Sequence, residues 1–166
     1  LHPEKTRLSE FGRFARDNRG RRGQGKPDTF DFLGFTHCCG KTRKGWFMVL
    51  RLTSAKRMRA KLLAVKTELR RRMHQPIAEQ GQYLRSVVAG HARYFAVPCN
   101  GARVQTFRFQ VGRLWHRTLC RRSQAKHLSW KRMHKIVDHW LPSPRICHPY
   151  PNQRLIVTTR GRSRMR

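Results

Sequence analysis

Residues able to carry acid–base or metal chemistry are few and widely separated in this chain. Only eight of its 166 residues are Asp or Glu. The nearest pair, Asp28 and Asp31, flanks Phe30, and side chains three residues apart can meet. Acid–base and two-metal catalysis need carboxylates close together, and nothing else in the sequence supports a metal site beside this pair. We therefore expect the chain to catalyse no reaction by itself.

Histidines and cysteines form no recognisable site either. The nine histidines are dispersed, and their placement relative to the five cysteines cannot be distinguished from chance. A zinc site can be drawn from His37, Cys38, Cys39 and His148, but it lacks the ligand spacing that is usual for zinc. The favoured alternative is that the thiols stay reduced in the cytoplasm and pack as small hydrophobic side chains.

Positive charge is the dominant feature of the composition. Thirty-eight Lys and Arg residues give a formal net charge of +30 and a pI near 11.8. A compact domain with this charge repels itself unless a polyanion neutralises it. The basic residues are spread along the whole chain rather than concentrated in one amphipathic helix, and no apolar run could span a bilayer. We therefore expect a nucleic-acid partner and no membrane contact.

The order of patterns predicts an α+β fold. The run from Gly12 to Thr29 is rich in Gly and Arg and predicts an exposed loop. Two apolar, β-favouring segments then flank Gly40–Gly45, which predicts a β-hairpin. Four apolar stripes at helical spacing follow, with Ser54 and Ser129 as candidate N-caps, and they predict a small helical bundle. The expected divisions are 1–53 with the hairpin, 54–141 with the bundle, and 142–166 as an extended basic tail.

The predicted helices carry many basic residues and almost no acidic ones. No carboxylate lies between Glu79 and Asp138, although arginines and lysines accumulate throughout that span. Solvated helix faces usually mix both signs of charge, so these side chains have almost no intramolecular ion-pair option. Arginine outnumbers lysine, which suits bidentate contacts to phosphate and stacking on bases. The aromatic residues interleaved with this charge could stack on unpaired bases, although we expect most of them to be buried.

Several stretches resemble a known family. "LHPEKTR", "FDFLGF" and "LRSVVAGHARYFAVP", in that order, are similar to the C-terminal part of group II intron-encoded proteins, in which a reverse transcriptase is fused to a maturase domain. The likeness continues through "LWHRTLCRRS", "LSWKRM" and "ICHPYP", so it extends over essentially the whole chain.

The resemblance implies that a front part is missing, namely the fingers and most of the palm with the Tyr-Ala-Asp-Asp aspartates. Those aspartates hold two magnesium ions in the parent, an RNA-directed DNA polymerase, so no cofactor is expected in this chain and it should be inactive alone. Lys5 would lie near the incoming nucleotide. Phe32, Leu33, Gly34 and Phe35 would form the hairpin that grips the primer end.

By the same resemblance, the helical zone would be the thumb or maturase domain. It would hold the duplex of RNA template and DNA primer and would dock on group II intron RNA to assist splicing. Two departures are visible: Arg93 replaces an Asn that is common in the family, and no zinc-containing endonuclease follows. The candidate RNA-contacting residues are Arg57, Arg59, Lys61, Lys66, Arg70, His91, Arg93, Tyr94, Arg113, Arg117, Arg121 and Arg122.

Two alternatives stay open at this point. The chain could be a stand-alone basic RNA-binding or ribosome-associated protein, with the motif likeness fortuitous. It could also be a decayed remnant of a mobile element, in which case Phe30, Phe32 and Phe35 would form an exposed apolar patch.

Overall fold

A computed structural model describes residues 8–122 and 128–150 and shows an α+β fold, as the sequence predicts. Lys5 and the basic tail beyond Tyr150 lie outside the described residues. The described elements, in chain order, are α1 (Ala15–Arg21), β1 (Phe30–Phe32), β2 (Phe35–Lys41), β3 (Phe47–Thr53), α2 (Ala55–Arg71), α3 (Ile77–Phe95), α4 (Gly101–Cys120) and α5 (Trp130–Trp140).

The three strands form one antiparallel sheet in the order β1-β2-β3. The predicted hairpin is confirmed as β2 and β3, whose register runs from Phe35 opposite Thr53 to Lys41 opposite Phe47. Strand β1 adds a second hairpin that turns between Phe32 and Phe35, in the segment that the resemblance implies is a hairpin. Its two-residue turn consists of Leu33 and Gly34, with φ of +49° and +80°. Two-residue hairpin turns often require positive φ at both positions, and Leu rarely accepts it.

The prediction of a loop from Gly12 to Thr29 is wrong in part, because this segment contains α1. Ala15 is buried, and the flanks of the helix are held by local ion pairs. Arg19 Nη1 lies 3.4 Å from Asp28 Oδ1, and Arg22 pairs with Glu10. Pairing with acids outside the helix stabilises a short segment whose own composition is poor in helix-forming periodicity. Most of the segment is exposed, as predicted.

Helices α2 and α4 pack side by side and run in the same direction. Their beginnings meet where the Asn100 side chain bonds Thr53, and their ends meet where Arg122 Nη1 donates to the Gln75 carbonyl at 3.1 Å. Helix α3 runs in the opposite direction, from the ends of α2 and α4 back to their beginnings. Helix α5 packs on α3 and contacts α4 through Val137 and Asp138. The core cluster consists of Met58, Val65, Leu69, Leu84, Val88, Phe107, Val111, Trp115, Leu119, Met133 and Leu141.

Two fully buried amide side chains connect the elements. Asn100 Oδ1 accepts from the Thr53 amide at 2.9 Å, and its Nδ2 donates to Thr53 Oγ1 and to the Phe95 carbonyl, both at 2.8 Å. Gln80 Oε1 accepts from Trp115 Nε1 at 2.8 Å, while its Nε2 donates to the Arg72 carbonyl at 2.8 Å. Buried polar groups are tolerated when they are hydrogen-bonded in this way. Asn100 therefore fixes the sheet to the start of α4.

The two predicted N-caps differ in what they do. Ser129 Oγ accepts from the Arg132 amide at 3.4 Å and caps α5. Ser54 precedes α2 as predicted, but its hydroxyl donates to Asp31 Oδ2 at 3.1 Å and makes no cap bond to its helix. Ser54 thus joins β1 to the start of α2. Across the residues described, no helix is long and apolar enough to cross a membrane.

Candidate nucleic-acid interface

The turn of the first hairpin is fastened to the end of α3. The Tyr94 hydroxyl donates to the Leu33 carbonyl at 2.8 Å. The Phe35 ring lies parallel to Tyr94, with centroids 5.7 Å apart, and meets the edge of Phe95 at 5.1 Å. A methyl group placed on Gly34 would lie 3.5 Å from the Phe95 ring. The structure therefore joins two stretches of the resemblance, "FDFLGF" and "GHARYF", into one cluster.

The tip of this cluster is apolar and exposed, with a basic residue beside it. Phe32 is 59 % exposed and Leu33 is 67 % exposed. The side chain of Arg57, at the start of α2, lies next to the turn, since its Cγ would be 3.8 Å from a methyl group on Gly34. Arg93 and Tyr94 are also exposed at the end of α3. The arrangement offers apolar contact with a sugar or base and a cation for phosphate.

His91, a predicted RNA contact, lies beneath this surface rather than on it. Its ring is 7 % exposed and stacks on Phe107 with centroids 3.7 Å apart. Nε2 is buried without a hydrogen-bond partner. Burial, and secondarily the nearby Lys61 ammonium, lower the pKa of His91 to about 4. His91 is therefore neutral at physiological pH and packs against Phe95.

Acidification should destabilise the chain through His91. A histidine in the unfolded chain has a pKa near 6.5. As the pH falls from about 6.5 to about 4, the unfolded state therefore binds a proton at His91 and the folded state does not. The free energy of unfolding should fall by about 1 kcal/mol per pH unit from this group. Urea unfolding across that range tests this, with His91→Leu as the comparison. If the variant loses stability as steeply as the wild type, another group is responsible.

The basic residues of α2 lie on two opposite flanks of that helix. At 3.6 residues per turn, Arg59, Lys66 and Arg70 fall within about 40° of one another around the axis. Arg57 and Lys61 fall on the other side of the buried stripe. A methyl group on Gly34 would contact both the Phe95 ring of α3 and Arg57 Cγ, so this second flank faces the end of α3. The predicted set is thus split into an outer flank and a flank beside the hairpin tip.

Helix α4 carries a straight basic stripe. Arg113, Arg117 and Arg121 follow one another at four-residue steps, which places them along one side of the helix. The guanidinium of Arg113 lies 5.8 Å from the centroid of the exposed Phe109 ring. The other side of α4 carries Gly112, which packs against Val137 of α5. The stripe is therefore turned away from the bundle interior.

The predicted RNA-contacting arginines and lysines have no acidic partners among the described residues. Glu68 pairs with Arg71 and Arg72, and Asp138 pairs with Arg108 at 2.9 Å. The Arg108–Asp138 ion pair is an exception to the expectation that the arginines beyond Glu79 have almost no ion-pair option. None of the predicted arginine or lysine contacts in the described residues lies within 4.0 Å of a carboxylate. Of these predicted contacts, Arg122 is held by the Gln75 carbonyl.

The aromatic residues divide between core and surface. Phe107 and Trp115 are fully buried, whereas Tyr94 and Phe109 are 50 % and 55 % exposed. The sequence analysis did not select Trp46, which is 63 % exposed in the turn between β2 and β3. An aromatic residue inside a Gly- and Lys-rich turn is the signal that could have identified it.

The residues considered for metal chemistry do not come together. Thr36 Oγ1 donates to Asp31 Oδ1 at 2.5 Å, and Asp28 Oδ2 accepts from the Glu10 amide at 3.3 Å. His148 Nε2 lies 2.6 Å from the Arg93 carbonyl. Across residues 8–122 and 128–150 there is no group of three or more His, Cys, Asp or Glu side chains that could hold a metal ion.

No protein-family model, curated protein or solved structure matches this chain.

Proposed function

We propose that this chain is the RNA-binding C-terminal portion of a group II intron reverse transcriptase and maturase, acting in the cytoplasm. Two things support the proposal: the order of the family-like stretches, and the cluster in which the Leu33–Gly34 turn meets Tyr94 and Phe95. In the proposal, α2 to α5 form the thumb or maturase domain and the hairpin tip contacts the end of a primer strand. All five cysteines are free, in keeping with a reducing compartment.

The observation that carries an RNA-binding role is the set of cations on α2 and α4 that have no carboxylate partner among the residues that the structure describes. An A-form duplex presents phosphates and 2′-hydroxyl groups, and proteins recognise it by shape more than by sequence. Parallel helices with arginines on their exposed faces can follow such a backbone and make bidentate phosphate contacts. Each neutralised phosphate releases counterions, so binding should weaken steeply as salt rises.

The chain should prefer a structured group II intron RNA over an unrelated folded RNA of equal length. The preference should persist when salt is raised, because the shape-dependent contacts survive while the general electrostatic attraction weakens for both RNAs. Fluorescence anisotropy across a salt series measures this. If both RNAs bind alike and lose affinity together, the chain is a stand-alone polycation and the maturase proposal fails.

A further inference from the structure

A large cleft opens between the α1 segment and the β2–β3 hairpin, on a part of the molecule that the proposed function does not use. Its volume is about 810 Å³, within the range of about 300–1,000 Å³ that is typical for ligand sites. One wall is the segment from Gly12 to Thr29, and the other comprises Cys38 to Lys41 with Gly45, Trp46 and Phe47.

The chemistry of the cleft combines positive charge with exposed aromatic rings. Arg13, Arg16, Lys26 and Lys41 line it, whereas Asp17 is the one acidic residue among the lining residues described. All four cations are exposed, and none is within 4.0 Å of a described carboxylate. Phe14 and Trp46, which are 66 % and 63 % exposed, stand on opposite walls.

Both walls are held in place without any ligand. Arg19 pairs with Asp28, and the Asp28 amide donates to the Glu10 carbonyl at 3.3 Å, so the α1 segment is closed into a loop. Cys39 Sγ lies 3.5 Å from the Gly12 amide nitrogen and connects this loop to β2. On the other wall, the Thr42 amide donates to the Trp46 carbonyl at 2.8 Å. The cleft is therefore preformed, which lowers the cost of ordering it on binding.

We infer that this cleft binds a single-stranded RNA segment, whose bases stack on Trp46 and Phe14 and whose phosphates contact Arg13, Arg16, Lys26 and Lys41. A positively charged groove with stacking aromatics is the combination by which proteins hold unpaired strands without sequence preference. A paired duplex hides its base faces, so these rings could not stack on its bases. The inference rests on the proposed function and extends it: the helices hold the duplex, and the cleft holds an unpaired strand leaving it.

The test compares a short blunt RNA duplex with the same duplex carrying roughly six unpaired uridines, the length of a modest single-strand site. The intact chain should bind the extended duplex at least about tenfold more tightly, since stacking of a single base contributes that much. Trp46→Ala should reduce the difference by about the tenfold that one stacked base contributes and leave blunt-duplex affinity unchanged. Trp130→Ala removes a tryptophan ring that is 46 % exposed on α5, outside the cleft, and should keep the difference.

Equal binding of the two duplexes by the intact chain would overturn the inference, as would an undiminished preference in Trp46→Ala. A photo-crosslink from 4-thiouridine in the extension gives a second measurement that needs no variant. It should fall on the tryptic peptide Gly45–Arg51, which contains Trp46, and a crosslink confined to α2 or α4 would contradict the cleft. Failure here is distinguishable from failure of the proposed function, because blunt-duplex affinity reports on the helices alone.

Discussion

Reversing the charge along the outer flank of α2, with Arg59→Glu, Lys66→Glu and Arg70→Glu together, should weaken duplex RNA binding by about five hundredfold, because three phosphate contacts are lost. Each phosphate contact contributes a slope of about −0.9 to the dependence of log affinity on log salt. At ~0.1 M salt, one contact is therefore worth about a factor of ten, before the added repulsion. The salt slope should become shallower by about three.

The matched control is the same reversal on α5, at Lys131, Arg132 and Lys135. These residues are exposed and change the net charge by the same amount, but they lie on a different helix. If net charge alone governs binding, the two triple variants will lose affinity equally and the outer flank of α2 is no interface. If the α2 variant keeps the wild-type slope, its three cations do not contact phosphates at all.

Arg57 is left out of that triple variant because the structure separates it from the outer flank. The sequence analysis placed Arg57 in one set of candidate RNA-contacting residues with Arg59 and Arg70. The turn at Gly34, which lies far away in sequence, places Arg57 beside the hairpin tip. Charge density can be read from a sequence, but which cations share a surface depends on the packing of other elements against the helix.

The main helices were predictable because their apolar residues recur at helical spacing and are buried where predicted. Val65 and Leu69 on α2, and Leu84 and Val88 on α3, are fully buried or nearly so. Helix α1 was missed for a physical reason. It is short, and ion pairs to Asp28 and Glu10 hold it in place. Helix and strand propensities depend on the local sequence and therefore cannot indicate such tertiary partners.

His91 shows why the candidate site could be predicted only in part. It lies on the apolar stripe of α3 and also within the family-like signature, so the sequence supports both a core role and a surface role. In the structure the His91 ring lies against both Phe95 and Phe107, so it packs in the core. The cleft beside Trp46 could not be predicted at all, since it depends on the fold of a segment expected to be a loop.

Two glycines of α3 give stability predictions of opposite sign. A methyl group on Gly81 of α3 would lie 2.4 Å from Cδ2 and 2.7 Å from Cγ of Trp140, at the end of α5. A methyl group on Gly90 would have no neighbour within 4 Å. The missing side chain at Gly81 thus makes room for Trp140, so α5 can pack on α3. Gly90 makes room for no neighbour and only lowers the stability of the helix.

Gly81→Ala should therefore destabilise the chain by about 1–3 kcal/mol, because the Trp140 ring or the end of α5 must move. Gly90→Ala should stabilise it by about 0.5–1 kcal/mol, the usual gain of alanine over glycine inside a helix. Urea unfolding midpoints, compared at constant m, measure both. Should Gly81→Ala also raise the midpoint, Trp140 must leave its position at little cost. The docking of α5 would then contribute little to holding the basic stripe of α4 in its orientation.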